Sequence, residues 1–514
     1  MTQPSFDLTT EPWLPIIRHG SLQQVGLREL FSTAHDIADL AIPVPPAASG
    51  IWRILYAITA RITGLDDTNL DFNTWSRRRN DLITSSSGFD PQVVDAYFDR
   101  WASRFDLFHP ERPWLQDPRL KTQCKNDAGV NKLVFSRSNG NNQVWFDHHH
   151  DHKLDPLPPS EAAWHLVAQL YYGAPGGCST REVDGLRKDD TQAGPLRGTL
   201  SFHPVGETLF QSLLAGLVHP GNLRTHRGGQ EDLAPWEMDT LPDPLGSPPI
   251  PGGFVSALTN RARHAILLTP DQSGSHVLGA RLTWAFRADA SKVEDPYLIH
   301  HVAGPGDLHA RPASNHRALW RDLDALVADG TDTRRARRPR VLLQSSSLPL
   351  AVLDALRVRA FGFDQGRGAK DYGWFVAITP PILKWAQERD PEMARGIART
   401  RLAAEESQRQ LSRTLREAWK DFTRQSDKSE GPWVSVATSR YWPRAERVFW
   451  QILNERRFDE AGMTFSRIAS EVYDEITDTA CRSPRGAHAV YTRRHLLFPS
   501  PSKSRARATT GGSK

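Results

Sequence analysis

The sequence predicts an α+β protein: a large mixed N-terminal domain over residues 1–378, a C-terminal four-helix bundle over 379–500 and a disordered basic tail over 501–514. Three observations carry this expectation. The 514 residues exceed what one hydrophobic core usually supports. In the first part, helical and strand-like patterns alternate between stretches rich in Gly, Pro and Asn. Beyond Pro380 the apolar residues fall into stripes at helical spacing: Leu411, Leu415, Ala418, Trp419 and Phe422, then Ala445, Val448, Phe449 and Ile452, then Phe465, Ile468, Val472 and Ile476. A helix before Gln408 and another around Ala487–Leu497 complete a bundle.

Composition narrows the function classes. An apolar fraction of 39% suits a globular protein, and no uncharged apolar run approaches the length of a membrane span. The N-terminus has no basic segment leading into an apolar one, so the cytoplasm is the expected compartment. Cys124, Cys178 and Cys481 are far apart and odd in number, giving neither a disulfide framework nor a zinc-ligand spacing. The formal charge is +5, but Lys503, Arg505, Arg507 and Lys514 of the tail leave about +1 for the rest. Any contact with nucleic acid must therefore come from local clusters.

In chain order, Phe6 to Pro15 followed by His19-Gly20-Ser21 suits two short strands across a turn, and a helix begins near Gly26 with Leu27, Leu30 and Phe31 inward. Ala47–Thr63 carries Ile51, Leu55, Ile58 and Ile62 at helical spacing, and Phe89–Leu107 carries Val94, Tyr97, Phe98, Trp101 and Phe105. From His109 the character changes. Residues 131–143 are dense in Asn, Ser and Gly around Phe135, Lys132 and Arg137, which suits either a grip on single-stranded nucleic acid or a solvated connection. The cluster Asp147-His148-His149-His150-Asp151-His152 has the side chains of a zinc or manganese site, although adjacent residues cannot all converge on one ion. Ser160–Tyr172 reads as a helix ending in Gly173-Ala174-Pro175-Gly176-Gly177, a spacing that fits neither GxxxxGK[ST] nor GxGxxG.

Farther on, Arg281–Phe286 reads as a strand, Asp295–Ser314 as irregular chain and Arg317–Val327 as a helix. Arg334, Arg335, Arg337, Arg338 and Arg340 form the densest basic run, either touching phosphates or lying on a solvated edge. Val341–Leu343 and Leu348–Val358 look strand-like, and Arg359–Trp374 reads as a hairpin whose Gly366 and Gly368 turn carries Gln365, Arg367 and Lys370 into solvent. The charged face of the bundle, with Arg399, Arg401, Arg409, Arg413 and Arg416, is either a solvated surface or a contact.

The order of these pieces resembles CasA, the large subunit of the type I-E CRISPR Cascade complex. The resemblance lies in the Phe-Asp-Leu…Glu-Pro-Trp-Leu-Pro start with Leu27–Phe31, the Gly173–Gly177 loop leading to Gly194–Thr199, and Gly253-Phe254-Val255, taken as strand. It covers most of the chain. It implies a subunit without catalytic residues, metal or cofactor that recognises the protospacer-adjacent motif in double-stranded DNA, starts its unwinding and docks a helicase-nuclease. Its implied partners are CRISPR RNA, the other Cascade subunits, target DNA and that effector. By resemblance, Gly173, Ala174, Pro175, Gly176 and Gly177 form a glycine loop, and Phe363, Asp364, Gln365, Gly366 and Arg367 a hairpin wedge. Asn131, Lys132, Phe135, Arg137 and Asn139 fall in the loop that anchors the subunit near the guide RNA. Where the family can present a minor-groove lysine, Leu268–His276 has none, leaving His276 or Arg281 as the substitute. The rival readings are a metal-dependent nuclease using His148–His152 and a purely structural scaffold.

Overall fold

The computed structural model describes residues 3–85, 87–138, 155–223, 231–289, 293–304, 307–328, 336–366, 370–424 and 431–497. The chain divides into two compact units, Met1–Leu319 with Asp329–Lys384, and Trp320–Ala328 with Trp385–Lys514. The division therefore falls after residue 384 rather than 378, and of the helix expected over Arg317–Val327 the part from Trp320 onward joins the second unit.

The first unit begins with the strands β1 (Leu14–Arg18) and β2 (Ser21–Val25), joined by a turn in which His19 and Gly20 both have positive φ. Helix α1 (Leu27–Ser32) and strand β3 (Ile37–Leu40) follow, then α2 (Pro45–Thr63), α3 (Phe72–Ile83), α4 (Pro91–Arg100), α5 (Leu120–Gln123) and α6 (Pro159–Tyr172). Pro at the first turn starts α2, α4 and α6, and Asp71 and Asp90 cap α3 and α4 with their carboxylates. The helix expected over Phe89–Leu107 thus stops at Arg100 and gives way to a short 3-10 turn.

Next come β4 (Gly176–Val183), β5 (Leu186–Thr191), β6 (Leu200–Val205), α7 (Leu209–Ala215), α8 (Phe254–Thr259), β7 (His264–Pro270), β8 (Val277–Trp284), β9 (His300–Gly304) and β10 (Asp307–Ala310). Gly253 is the N-cap of α8, so Gly253–Val255 opens a helix and not a strand. Helix α9 (Leu323–Val327) belongs to the second unit, and α10 (Arg340–Gln344), α11 (Leu350–Ala355), β11 (Arg357–Gln365) and β12 (Asp371–Ile378) complete the first. The runs expected as strands around Val341–Leu343 and Leu348–Ala355 are helices, each started by a proline at its N-cap. Short apolar runs carry no period that separates the two states. The hairpin does form. β11 is the centre of a sheet ordered β12-β11-β6, with Phe363 opposite Trp374 and Phe361 opposite Val376 and Ser201.

The core of this unit contains a polar knot. Arg53 of α2 is fully buried and meets Asp295 through two hydrogen bonds of 3.2 and 3.1 Å, with Arg261 at 3.4 Å from the same carboxylate. Burial pushes the Asp295 carboxyl up, but Arg53 and Arg261 more than offset it and hold the group below its ordinary range. Arg53 also donates to Ser49 Oγ, which accepts from Tyr172 and contacts Ser201. Beside this knot His203 stacks on Tyr297, and Tyr297 on Tyr56. Burial keeps His203 far below its usual pKa, so the stack is neutral.

The second unit consists of α12 (Pro391–Thr423), α13 (Gly431–Glu455), α14 (Ala461–Cys481) and α15 (Pro484–Arg494), together with α9. The helix expected before Gln408 and the first apolar stripe are one continuous 33-residue α12. Among the arginines of the expected charged face, Arg401 binds Asp324 of α9 and Glu405, Arg399 pairs with Asp459, Arg409 with Glu406 and Arg413 with Glu417. No helix among the described residues is long and apolar enough to cross a membrane.

Removing one member of a buried ion pair strands the other charge. Asp295→Ala is expected to lower stability by about 3–5 kcal/mol, read from urea unfolding of the first unit by tryptophan fluorescence. A loss of no more than about 1 kcal/mol, the value of an exposed pair, would contradict this assignment.

Candidate nucleic-acid interface

The C-terminal end of α6 leaves carbonyls without helical partners, and the surrounding segments supply the donors. Gly173 N–H bonds to Gln169 O at 2.9 Å, Leu196 N–H to Tyr171 O at 2.9 Å, and Gly194 N–H to Gly173 O at 2.9 Å. Tyr172 O accepts from Arg197 and from the Gln365 side chain, both at 3.3 Å. Arg197, a cation at the negative end of the helix, is placed where the helix dipole favours it. The Gln169 side chain reaches the other way and donates to Lys132 O and Leu133 O at 3.3 and 2.9 Å. One helix end thus gathers the 131–135 segment, the glycine loop and the β11–β12 hairpin.

The apolar seam between them is Phe363, buried at 1% exposure, with Phe135 edge-on at 5.2 Å, Trp374 at 5.6 Å and Tyr172 at 6.0 Å. Within the glycine loop the glycines have different duties. A Cβ at Gly173 would lie 2.6 Å from both Gln169 O and the His264 ring, so this glycine is required by close packing. Gly176 and Gly177 are exposed and face open space, with Gly176 at φ 110°. His264 of β7 backs the loop: its Nε2 donates to Ala174 O at 3.1 Å, and burial, opposed in part by that bond, lowers its pKa to about 4. A cavity of about 110 Å³ opens here, lined by Lys132, Val134, Phe135, Gln169, Ala174, Pro175, Gly177, Thr191, His264, Leu282 and Asp371.

Several expected roles change with this geometry. Gln365 does not project into solvent: its Oε1 accepts from Gly198 N–H at 3.0 Å, and its Nε2 donates to Asp371 at 2.8 Å as well as to Tyr172 O. Phe135 is packed on Phe363 rather than presented for stacking. Phe363 is core, and Asp364 accepts from Asn315 N–H at 2.9 Å. Asn131 is buried and meets Arg137 at 3.3 Å, while Arg137 also donates to Asp155 O at 2.6 Å. Gly366 N–H closes the hairpin turn on Lys370 O at 2.8 Å. Asn139, Arg367, the His148–His152 cluster, Arg334, Arg335 and the 501–514 tail lie outside the described residues.

His276 is exposed on the β7–β8 turn beside Asp271, at the end of the hairpin opposite His264. The seven residues of β7 span roughly 20 Å, so His276 is not brought to the glycine loop. Arg281 donates to Cys124 O at 3.2 Å and lies 3.9 Å from Asp127. In the basic run, Arg338 is buried and Arg340 forms a two-pronged pair with Glu294 at 2.9 Å, so these two serve the fold. Among the described residues no group of His, Cys, Asp and Glu could hold a metal ion.

Two features escaped the sequence reading. Gly176 and Gly177, expected in a loop, are the first residues of β4, paired with Thr191 and Asp190 of β5, and the β4–β5 hairpin closes through an Asp184-Gly185 turn, a two-residue signal readable in advance. Arg197 and Asp371 pair at 3.2 Å beside Gln365, a meeting that no local pattern encodes.

Gly173→Ala is expected to destabilise the protein by about 1–3 kcal/mol through overpacking, whereas Gly177→Ala should shift stability by no more than about 0.5 kcal/mol; equal melting temperatures for the two variants would contradict the packing argument. Because the folded His264 ring stays neutral where the unfolded one takes a proton, its contribution is complete above pH 6.5 and is lost as pH falls towards 4. His264→Gln should therefore flatten the dependence of melting temperature on pH across that window, and an unchanged slope would show that the ring is not held neutral.

Comparison with known proteins identifies the family. The family model of CRISPR-associated protein Cse1 matches residues 7–483. The CRISPR-associated protein CasA/Cse1 of Thermus thermophilus is 29% identical over 334 residues, 63% of this chain, and the chain spans 60% of the length of that relative. A chain of a CRISPR RNA-guided surveillance complex superposes with a TM-score of 0.87 at 44% identity, covering 96% of this chain and 100% of that one. A chain from a surveillance complex described as pre-nicking gives 0.79 at 42% identity, covering 97% and 100%. With a family match that runs through both compact units, the chain belongs to the CRISPR-associated protein Cse1 family.

Proposed function

We propose that this chain is the large subunit of a CRISPR RNA-guided surveillance complex, recognising the protospacer-adjacent motif in double-stranded DNA, initiating strand separation and docking a helicase-nuclease. Its partners on this reading are CRISPR RNA, the other subunits of the complex, target DNA and that effector. The observation that carries the DNA reading is the convergence of the 131–135 segment, the glycine loop and the β11–β12 hairpin on the end of α6. Exposed Gly176 and Gly177 let backbone approach a minor groove without a side chain in the way. That groove distinguishes few base pairs, so a reader of this kind tolerates several motifs.

The work is binding without bond-making. The hairpin separates bases at a cost of a few kcal/mol of unstacking, offset by duplex contacts and by pairing of guide with target. Lys132 is the cationic side chain lining the cavity beside Gly177, whereas His276 lies at the far turn. The cation that meets the groove is therefore assigned to Lys132 in place of His276 or Arg281.

Gly177→Asp would set a carboxylate against phosphate while leaving the fold intact. In an electrophoretic shift assay on the reconstituted complex, it is expected to weaken binding to a motif-bearing duplex by on the order of tenfold or more. Binding to a duplex without the motif should stay weak. Equal affinity of the wild-type complex for both duplexes would sink the motif-reading function and leave a scaffold.

A further inference from the structure

Gln365 sits at the hairpin position assigned to strand separation, yet its amide is fully engaged by the protein. The orientation follows from chemistry: Gly198 N–H can only donate and the Asp371 carboxylate only accept, so Oε1 faces the first and Nε2 the second. Asp371 is in turn gripped by Arg197 at 3.2 Å, whose side chain is 8% exposed. Bonds to ionised groups in such partly buried places are stronger than neutral ones. An amide held by these partners cannot also enter a base stack.

Two further observations make the docking reversible and link it to DNA. The β11–β12 register shifts between Asp364 and Gln365, where Tyr372 of β12 is the extra residue of a bulge, so the ladder is interrupted between Gln365 and the rest of the hairpin and Asp371 is re-aimed toward the amide. Asp371 also lines the cavity that holds Gly177, Ala174 and Lys132, so a phosphate arriving there brings like charge against the Asp371 carboxylate and weakens its hold on Gln365.

We propose that Asp371 is a specificity-determining latch: it holds Gln365 docked on the end of α6, so that strand separation starts only when contacts of the duplex with the glycine loop offset the loss of that docking. This rests on the strand-separation reading given above. A duplex lacking the motif makes too few contacts to release the amide and stays closed. A motif-bearing duplex opens because its phosphates crowd Asp371 and free the amide of Gln365.

The test is strand opening in the reconstituted, guide-loaded complex, read by 2-aminopurine fluorescence next to the motif position in motif-bearing and motif-less duplexes. Asp371→Ala is expected to raise opening of the motif-less duplex on the order of tenfold, the factor of one charge-assisted hydrogen bond. The final extent on the motif-bearing duplex should change by less than about twofold, because that duplex already releases the amide. Asp371→Asn keeps an acceptor of the same shape, guards against a misfolded hairpin and should raise motif-less opening roughly threefold. No rise on the motif-less duplex in either variant would overturn the latch. Undiminished opening of the motif-bearing duplex by Gln365→Ala would instead overturn the strand-separation reading beneath it.

Discussion

The ion pair between Arg53 and Asp295 is the constraint around which the first unit is arranged. A guanidinium with no exposed surface must find acceptors for its donors inside the protein, and it takes them from Asp295 and from Ser49 on its own helix. Each acceptor is bound to something else in turn. Asp295 fixes Tyr297 through a backbone bond of 3.0 Å, and Tyr297 stacks against Tyr56 and His203. Ser49 receives the Tyr172 hydroxyl at 2.8 Å, which sets the last turn of α6. The candidate interface is therefore tied to a fully buried charge by two side-chain bonds.

Much of the fold was legible because it depends on short-range patterns. The bundle stripes at Leu411–Phe422, Ala445–Ile452 and Phe465–Ile476 are faces of amphipathic helices, which sequence spacing records directly. The β11–β12 hairpin was visible from its glycines, and α2 from its apolar run. What failed was local in a different way. The apolar runs near Val341 and Leu350 are too short to show a period, and Gly253 reads equally as the end of a strand or the cap of a helix.

The segments of the candidate site could be picked out in the sequence, but not their wiring. The glycine loop, the 131–137 segment and the hairpin could each be found from composition. That Gln365 would be turned inwards could not, since its partners Gly198 and Tyr172 stand 167 and 193 residues away in the chain. The same holds for Phe135, whose aromatic character suggested stacking on bases but which meets Phe363 instead. Polar and aromatic side chains are chosen by their surroundings, and those surroundings are assembled only when the chain folds.

β11 is the middle strand of its sheet, paired with β6 on one side and β12 on the other. Considered as a mechanical part, the hairpin is a cantilever with a clamped root. A load at its tip is carried as shear along two hydrogen-bonded ladders, and at Gln365 it passes into the end of α6 and from there to Tyr172 and Ser49. Shear loads many ladder bonds together, whereas peeling would break them one at a time. The root of the hairpin is thus held by two ladders at once, whereas beyond it the pairing is interrupted at Tyr372, opposite Asp364 and Gln365.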